Sequence, residues 1–258
     1  MQDFVRRQEG SYERDKRSNS KRLARMWPDF VNIKKRVETE TPFLAGHLSG
    51  PSPLVFDACL GCGATTIGLR LKKAAEVLPN EIDPNMLDIA VSEARKKGLR
   101  INALSYDWRD IPEHLHGMFN MVTCLGNSIT LLFDRNERLL ALRNFASILV
   151  PTGALVIDER NYPSILEGKF NPSGKFVYCG LDKVVPRLVR ASDASVVMEY
   201  KHLGSGDIAQ LEMYPFKKGE LLGLLHEAGF NRIRTFGDYK AEYDPGNVEF
   251  FTYVARKE

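Results

Sequence analysis

The chain has 258 residues, of which 43% are hydrophobic and 27% are charged, and its formal net charge is +3. This length can bury a full core as one large domain or as one domain with an insertion. Apolar residues never run uninterrupted for the roughly 18 positions that a membrane span requires, so the sequence gives no support to a membrane role.

The first 40 residues form the basic part of the chain. They carry eleven Lys or Arg and seven Asp or Glu, a balance of +4, which leaves −1 for all other residues. A basic arm can bind nucleic acid, but it is more often a solvated helix face, and we favour the helix face. Residues 1–7 lack the apolar core of a secretory signal, so we expect a cytoplasmic protein.

Two helices are predicted in this N-terminal region. The first covers 21–27 and ends before Pro28, and the second runs from 29 to 48. We expect residues 1–50 to form a helical cap over a binding site.

From residue 51 onward, strands alternate with helices, as in a parallel sheet covered on both faces. The predicted strands are 53–57, 75–80, 101–105, 119–124 and 153–158, and the predicted helices are 62–72, 84–97 and 134–149. A helix at 217–229 and strands at 231–236 and 247–255 complete the domain. The sequence therefore predicts an α/β domain made of residues 51–168 and 216–258.

Short strand-like runs interrupt this alternation between residues 175 and 215. They cover 176–178, 184–189, 195–200 and 209–214, and 204–207 are expected to form a hairpin loop. We expect residues 169–215 to form an inserted antiparallel sheet over the carboxyl ends of the parallel strands, where open α/β sheets bind ligands.

The first predicted strand ends in a tight glycine turn, Asp-Ala-Cys-Leu-Gly-Cys-Gly at 57–63. Gly61 and Gly63 tolerate positive φ and have no Cβ, so the backbone can approach a bound nucleotide. Glycine pairs also close ordinary loops and occur in dinucleotide sites. This turn begins with an acid and has two glycines, which suits S-adenosylmethionine better than a pyrophosphate. Asp57 would hold the amino group of the methionine moiety, directly or through water.

Two later segments supply the other parts of an adenosine pocket. Glu81, after the second strand, can accept hydrogen bonds from ribose hydroxyls. Asp107, after the third strand, can accept one from the adenine amine, and Trp108 offers an aromatic surface. The predicted cofactor is S-adenosylmethionine, which leaves as S-adenosylhomocysteine.

Four cysteines are present, and a chain of this length needs no disulfide framework. Cys59 and Cys62 have the spacing of half a zinc site, but Cys124 and Cys179 are isolated and no histidine pair has ligand spacing. We therefore predict no metal and interpret the cysteines as small buried residues.

Three motifs are more specific than the glycine turn: Cys-Leu-Gly-Asn-Ser at 124–128, Leu-Arg-Asn-Phe-Ala-Ser at 142–147 and Val-Ile-Asp-Glu-Arg-Asn-Tyr at 156–162. Together with 175–180 and 237–239, they resemble the glycine and glycine/sarcosine N-methyltransferases, from about residue 36 onward. The resemblance implies a Rossmann-like class I methyltransferase that methylates the amine of glycine, sarcosine or dimethylglycine, toward betaine.

The resemblance also implies residues that hold the donor. Arg36 matches the arginine that pairs with the donor carboxylate, and the alternative for Arg36 is a solvent-exposed helix face. Leu125 would contact the donor near the fourth strand, and Ile82 would contact adenine beside Trp108. Cys59 stands where the family usually has Ala or Gly.

On the acceptor side, a guanidinium offers a rigid bidentate fork for a carboxylate, and Arg160 is the candidate. The alternative for Arg160 is a surface ion pair with its acidic neighbours at 158 and 159. The resemblance implies that Asn127 contacts acceptor and donor, and that Tyr162, Tyr178 and Tyr200 belong to an aromatic pocket. Core packing is the alternative for each tyrosine.

The sequence departs from the family at three positions near the acceptor. Leu131 stands where the glycine enzymes have His, Cys179 replaces a second tyrosine, and Phe250 lacks a hydroxyl. A less polar site favours sarcosine or dimethylglycine over glycine.

Two other functions stay open on the sequence. One is methylation of another small amine, tRNA or protein, although a nucleic-acid partner is not favoured. The other is an S-adenosylmethionine-binding regulator without turnover. The sequence also leaves open whether the chain forms a homo-oligomer.

Overall fold

A computed structural model describes residues 18–169 and 183–257. Its central sheet has six strands: β1 (Leu54–Asp57), β2 (Glu76–Pro79), β3 (Phe119–Cys124), β4 (Leu149–Arg160), β8 (Arg232–Gly237) and β9 (Phe250–Arg256). The spatial order is β2-β1-β3-β4-β9-β8. The first four of these strands are parallel, and β9 pairs antiparallel with both β4 and β8.

Seven helices are described: α1 (residues 18–31), α2 (Ile33–Ala45), α3 (Ala64–Leu71), α4 (Pro84–Arg95), α5 (Arg135–Ile148), α6 (Tyr162–Leu166) and α7 (Glu220–Glu227). Single 3₁₀ turns occupy Glu113–Leu115 and Ser128–Leu131. Within the described ranges, no helix is both long and apolar enough to cross a bilayer.

Helices cover both faces of the sheet, because alternate residues of each strand point to opposite sides. On one face Phe56 and Leu155 belong to a core cluster with residues of α5 and α7. On the other face Val55 and Val156 pack in a cluster with Leu44 of α2 and Leu69 of α3. The predicted doubly covered α/β sheet is therefore confirmed.

A separate three-stranded antiparallel sheet contains β5 (Val184–Ala191), β6 (Val196–His202) and β7 (Ile208–Met213). It adjoins the main sheet, since the Tyr214 N–H donates to the Thr130 carbonyl at 2.8 Å. The predicted hairpin at 204–207 joins β6 to β7. The strand predicted at 176–178 lies outside the described residues.

The strand predicted at 101–105 is wrong, because this segment forms one isolated bridge, between Leu104 and Asn80. In that bridge the Leu104 N–H donates to the Pro79 carbonyl, and the Glu81 N–H donates to the Leu104 carbonyl. The next bond of a parallel ladder would need an N–H on residue 79. Proline has none, so the ladder stops after one step.

The predicted boundary between the first two helices is also wrong. Residues 18–31 are continuously helical through Pro28, and the break comes at Asn32, which has φ 43°. The buried side chains Phe30 and Val31 hold the last turn of α1 in place, so tertiary packing compensates the hydrogen bond that Pro28 lacks. Asn32 then caps α2 by accepting a hydrogen bond from the Lys35 N–H.

Candidate active site

A cavity of about 80 Å³ lies at the carboxyl ends of β1, β3 and β4, beneath α1 and the three-stranded sheet. Ligands of open α/β sheets bind at this end of the strands. Its lining residues come from α1 and α2 (Trp27, Phe30, Val31, Arg36), the turn after β1 (59–62), the segment after β3 (125–128), the end of β4 (Arg160), the small sheet (Tyr200, Leu211, Met213) and β9 (Phe250).

The glycine turn has the conformation that its sequence predicts. Gly61 and Gly63 have φ values of 54° and 88°, where residues with a Cβ are strained. A Cβ on Gly61 would meet nothing closer than 3.9 Å, so its backbone is open toward the cavity, whereas a Cβ on Gly63 would lie 3.3 Å from Ile67 Cδ1. Gly61 therefore allows close approach of a ligand, and Gly63 allows close packing at the start of α3.

Asp57 lies beneath this turn and does not line the cavity. Its two carboxylate oxygens accept hydrogen bonds from the Thr66 hydroxyl at 2.6 Å and the Thr123 hydroxyl at 3.1 Å. Burial raises the pKa of Asp57 to about 6. This carboxyl ties the end of β1 to α3 and β3, so it fixes the shape of the turn.

Arg36 reaches the cavity from α2 with only 8% of its surface exposed. Its Nε donates to Glu40 Oε2, and Glu40 also accepts hydrogen bonds from the Thr65 hydroxyl and, at 3.1 Å, from the Tyr239 hydroxyl. Arg36 Nη1 lies 3.8 Å from the position of a Cβ on Gly126. Glu40 thus orients the guanidinium toward the backbone that follows β3.

Asn127 follows β3 in a left-handed conformation with φ 68°. Its Nδ2 donates to the Tyr162 hydroxyl at 2.6 Å and lies 3.3 Å from Met213 Sδ, while its Oδ1 accepts the Arg160 N–H at 3.0 Å. The backbone here is held by Asp158, whose carboxylate accepts the N–H groups of residues 126 and 127. Burial raises the pKa of Asp158 to about 6. The orientation of the Asn127 amide is fixed on both sides.

Arg160 is the last residue of β4, and 9% of its surface is exposed. Its guanidinium lies over the Phe250 ring, 4.5 Å from the centroid, and Nη1 is 3.9 Å from Glu249 Oε1. The stacked, buried position argues against a surface ion pair with residues 158 or 159. Arg160 and Arg36 both line this small cavity, so its wall contains two guanidinium groups.

The predicted tyrosines differ in position. Tyr162 is fully buried behind Asn127 and does not line the cavity, and burial raises its pKa to about 12, so its hydroxyl stays protonated. Tyr200 lines the cavity, with its ring centroid 4.9 Å from that of Phe30 and 5.5 Å from that of Trp27. Tyr178 lies outside the described residues.

Four predicted adenosine contacts do not line the cavity, and two of them, Glu81 and Trp108, are hydrogen-bonded to the turn. Glu81 accepts the Gly61 N–H at 2.9 Å, and burial raises its pKa to about 6. Ile82 is 60% exposed beside it. The Trp108 indole donates to the Ala58 carbonyl at 2.8 Å. Asp107 forms an ion pair with Arg109, whose hydrogen bond lowers the pKa of Asp107.

Three described cysteines, Cys59, Cys62 and Cys124, are free thiols in the turn or at the end of β3. Cys59 Sγ lies 3.2 Å from both the carbonyl and the N–H of Leu125, which joins the turn after β1 to the segment after β3. Burial raises the pKa of Cys62 to about 11 and also raises that of Cys124. Within residues 18–169 and 183–257, no three His, Cys, Asp or Glu side chains are grouped so that they could hold a metal ion.

The cavity therefore brings together seven predicted residues: Arg36, Cys59, Gly61, Leu125, Asn127, Arg160 and Tyr200. It also contains residues that the sequence did not single out, chiefly Trp27 and Met213. Another missed residue, Glu40, could have been found as the i+4 partner of Arg36 on a helix. Trp27 and Met213 carry no such signal, because distant segments bring them to the site.

The chain is similar to known methyltransferases in sequence and in fold. A family model described as a methyltransferase domain matches residues 55–153. The glycine/sarcosine N-methyltransferase of Halorhodospira halochloris is 33% identical over 234 residues, which are 90% of this chain and 86% of that protein. The glycine/sarcosine/dimethylglycine N-methyltransferase of Actinopolyspora halophila is 33% identical over 90% of this chain and 41% of that protein.

A solved structure supports the fold independently. An S-adenosylmethionine-dependent methyltransferase from Clostridium acetobutylicum matches with a TM-score of 0.69, covering 88% of this chain and 92% of that chain. Because the two sequences are 17% identical, this likeness shows the fold alone.

Proposed function

The chain belongs to the family of the glycine/sarcosine N-methyltransferases and uses S-adenosylmethionine as its methyl donor, and we propose that it methylates the amino nitrogen of glycine, sarcosine or dimethylglycine, with Arg160 holding the acceptor carboxylate. The observation that carries this proposal is the pair of buried arginines on one cavity. Donor and acceptor each bring one carboxylate, and each arginine is suited to bind one of them.

The residue types of the donor half suit the chemical groups of S-adenosylmethionine. Gly61 has no side chain toward the cavity, and the buried Arg36 guanidinium lies against the backbone near Gly126. We assign Arg36 to the donor carboxylate, Glu81 to the ribose, and Ile82, Asp107 and Trp108 to adenine, with Leu125 and Cys59 beside the donor. Asp57 would act by holding the turn, and Gly63 by its packing on α3.

In the acceptor half, we assign Arg160 to the carboxylate and Asn127 to the amine. Asn127 Oδ1 accepts one N–H from Arg160, and a carbonyl oxygen has a second lone pair for an N–H of glycine or sarcosine, whereas neutral dimethylglycine has no N–H to donate. Tyr162 orients this amide from behind, whereas Tyr200 contributes an aromatic wall, as Tyr178 would in the resemblance.

The bound donor supplies an already activated methyl group on a sulfonium. The residues of the chain then have to align a neutral amine with that methyl and exclude water, and alignment is worth about 7–11 kcal/mol in well-oriented reactions. Trp27, Phe30 and Met213 make the cavity wall apolar. An acceptor that enters with its amine deprotonated needs no strong base in the site, because the proton is lost to solvent.

The apolar wall also bears on the choice among acceptors. Each methyl group already on the nitrogen removes one hydrogen-bond donor and adds apolar surface. Phe250, Met213 and Leu211 accommodate that surface, which supports sarcosine or dimethylglycine as the preferred acceptor over glycine.

We also propose that the chain is divided into three parts. Residues 1–50 would cap the site, 51–168 with 216–258 would bind the donor, and 169–215 would cover the acceptor. The contacts of Trp27 with Tyr200 and of Asn127 with Met213 support it, because they join all three parts.

The test is S-adenosylhomocysteine formation with glycine, sarcosine, dimethylglycine and no acceptor. Arg160→Ala is compared with Arg234→Ala, which removes another arginine that lies over a phenylalanine, at 5.2 Å, but on β8. Turnover that Arg160→Ala abolishes and Arg234→Ala retains would support the proposal. Tight donor binding without turnover on any acceptor would overturn it in favour of another amine or a regulatory role.

A further inference from the structure

A second cavity of about 440 Å³ lies on the face of the sheet that α7 covers. We call it the α7 pocket and define it by Glu159, Arg160, Phe216, Leu222, Phe251 and Tyr253, which are among its lining residues. Its volume falls within the range of small-molecule sites. Arg160 lines both this pocket and the active-site cavity.

The walls of the α7 pocket are apolar and largely aromatic. Phe251 lies opposite Glu159 in the pairing of β9 with β4. Phe216 lines the pocket from the segment before α7, and Leu222 lines it from the first turn of α7. The ring of Tyr243 stands at 65° to that of Phe251, 6.2 Å away. These surfaces suit a flat apolar body, since aromatic rings contribute both contact area and preferred stacking geometries.

The rim of the pocket is basic. Lys217 and Lys218 are exposed at its edge, while the third lysine, Lys169, is paired with Glu167 at 2.8 Å. Charges at a low-dielectric concave surface focus their field into it. The rim therefore attracts an anion.

The acid at the floor of the pocket does not oppose that attraction at neutral pH. Glu159 is 4% exposed and accepts a hydrogen bond from the Tyr253 hydroxyl at 2.6 Å. Burial raises the pKa of its carboxyl to about 8, with Glu220 and Asp158 acting in the same direction. A neutral carboxyl can donate a hydrogen bond to a ligand atom that accepts one.

We propose that the α7 pocket binds an organic carboxylate with a flat apolar body, which lies on Phe251 and Leu222 while its carboxylate pairs with Lys217 and Lys218. The pocket is larger than an inorganic ion needs, and its apolar walls leave a small hydrophilic anion without contacts. An amine of the same shape would meet the same walls but a repulsive rim.

Occupancy of the α7 pocket has a consequence that rests on the proposed function. Because Arg160 lines both cavities, a ligand body that fills the α7 pocket lies against the side chain that holds the acceptor and should displace its guanidinium. Binding should therefore raise the acceptor KM and leave the affinity for the donor unchanged, since Arg36 does not line the α7 pocket.

The test is calorimetric titration of the full chain with 2-naphthoate and with two probes of the same shape, the neutral 2-naphthalenemethanol and the cationic 2-naphthylmethylammonium. We expect saturable binding of 2-naphthoate that is about tenfold or more tighter than binding of the cation. Lys217→Glu with Lys218→Glu should weaken naphthoate binding about tenfold, because two attractions become repulsions. Lys96→Glu with Lys97→Glu, an equal change of charge just after α4, should leave naphthoate binding unchanged.

Leu222→Trp fills the pocket with a larger side chain and should abolish naphthoate binding while donor binding is retained. If this variant does not fold, the lysine variants carry the test. Equal affinity for the three probes would overturn the proposal. Naphthoate binding that survives both the Lys217→Glu with Lys218→Glu change and the Leu222→Trp change would also overturn it. An absence of saturable naphthoate binding would do the same. Each result is obtained without turnover, so it is separate from failure of the proposed methylation.

Discussion

Replacing Arg36 with alanine should weaken donor binding and also destabilise the fold, and the structure allows the two effects to be separated. A charge-assisted hydrogen bond contributes about 1.5–3 kcal/mol, so loss of the bond to the donor carboxylate should raise the donor Kd roughly 10- to 150-fold. The donor KM should rise with it, with a smaller effect on kcat, because the arginine binds the donor and not the reacting atoms.

The same substitution leaves Glu40 as a buried carboxylate without its cation. Breaking a buried ion pair costs about 3–5 kcal/mol. The hydroxyls of Thr65 and Tyr239 still donate to Glu40, so we expect the lower end of this range. That corresponds to a decrease in Tm of about 6–12 °C for a domain of this size.

The double variant Arg36→Ala with Glu40→Gln separates binding from folding. It removes both charges and keeps a side chain that can accept the hydroxyl hydrogen bonds, so Tm should recover most of the loss. Donor affinity, measured by calorimetry, should stay low. Unchanged donor affinity in Arg36→Ala would refute the assignment, and affinity that returns in the double variant would show that the loss came from misfolding.

Three further predictions concern other parts of the site. The raised pKa of Glu159 stabilises the folded state below about pH 4.5, and this contribution is lost as the pH rises toward 8. The Tm of Glu159→Gln minus the Tm of the native protein should therefore increase between about pH 5 and about pH 9. A difference in Tm that stays constant over this range would contradict the buried acid. Asn127→Asp should lower kcat and leave the donor Kd unchanged in steady-state and binding assays, because the new carboxylate cannot donate to Tyr162; an unchanged kcat would exclude a role for the amide. The variant Trp108→Phe leaves Trp27 as the single tryptophan. Saturating donor should change the fluorescence emission of Trp27, because the cavity that Trp27 lines has only about 80 Å³ and α1 has to move to admit the donor. Constant emission would show that α1 stays in place.

Much of the fold follows from local sequence. The apolar run that becomes β1 is short and continuous, as expected for a strand buried on both faces, and the two glycines with positive φ are the ones expected at the turn. Arg160 ends β4 next to the segment that contains Asn127, because the carboxyl ends of neighbouring parallel strands meet at one edge.

The errors have physical causes that a pattern of apolar residues does not contain. Pro79 removes one N–H from the strand beside the predicted third strand, and the ladder fails there although the residues of that segment suit a strand. At Pro28 the opposite happens, because buried neighbours keep a helix intact where local preference predicts its end.

The predicted site was incomplete for a related reason. Trp27 reaches the cavity from α1 and Met213 from the small sheet, and neither position has a motif. Their contribution depends on tertiary packing of segments that lie far apart in the sequence. The α7 pocket depends on such packing too.

The most direct test of the carboxylate clamp compares sarcosine with dimethylamine, its analogue without the carboxylate, as acceptors for the native protein and for Arg160→Ala. A charged hydrogen bond of about 1.5–3 kcal/mol predicts that the native protein prefers sarcosine by roughly 10- to 150-fold in kcat/KM. The preference should largely disappear in Arg160→Ala. An equal preference in both proteins would show that another residue binds the carboxylate and would contradict the account.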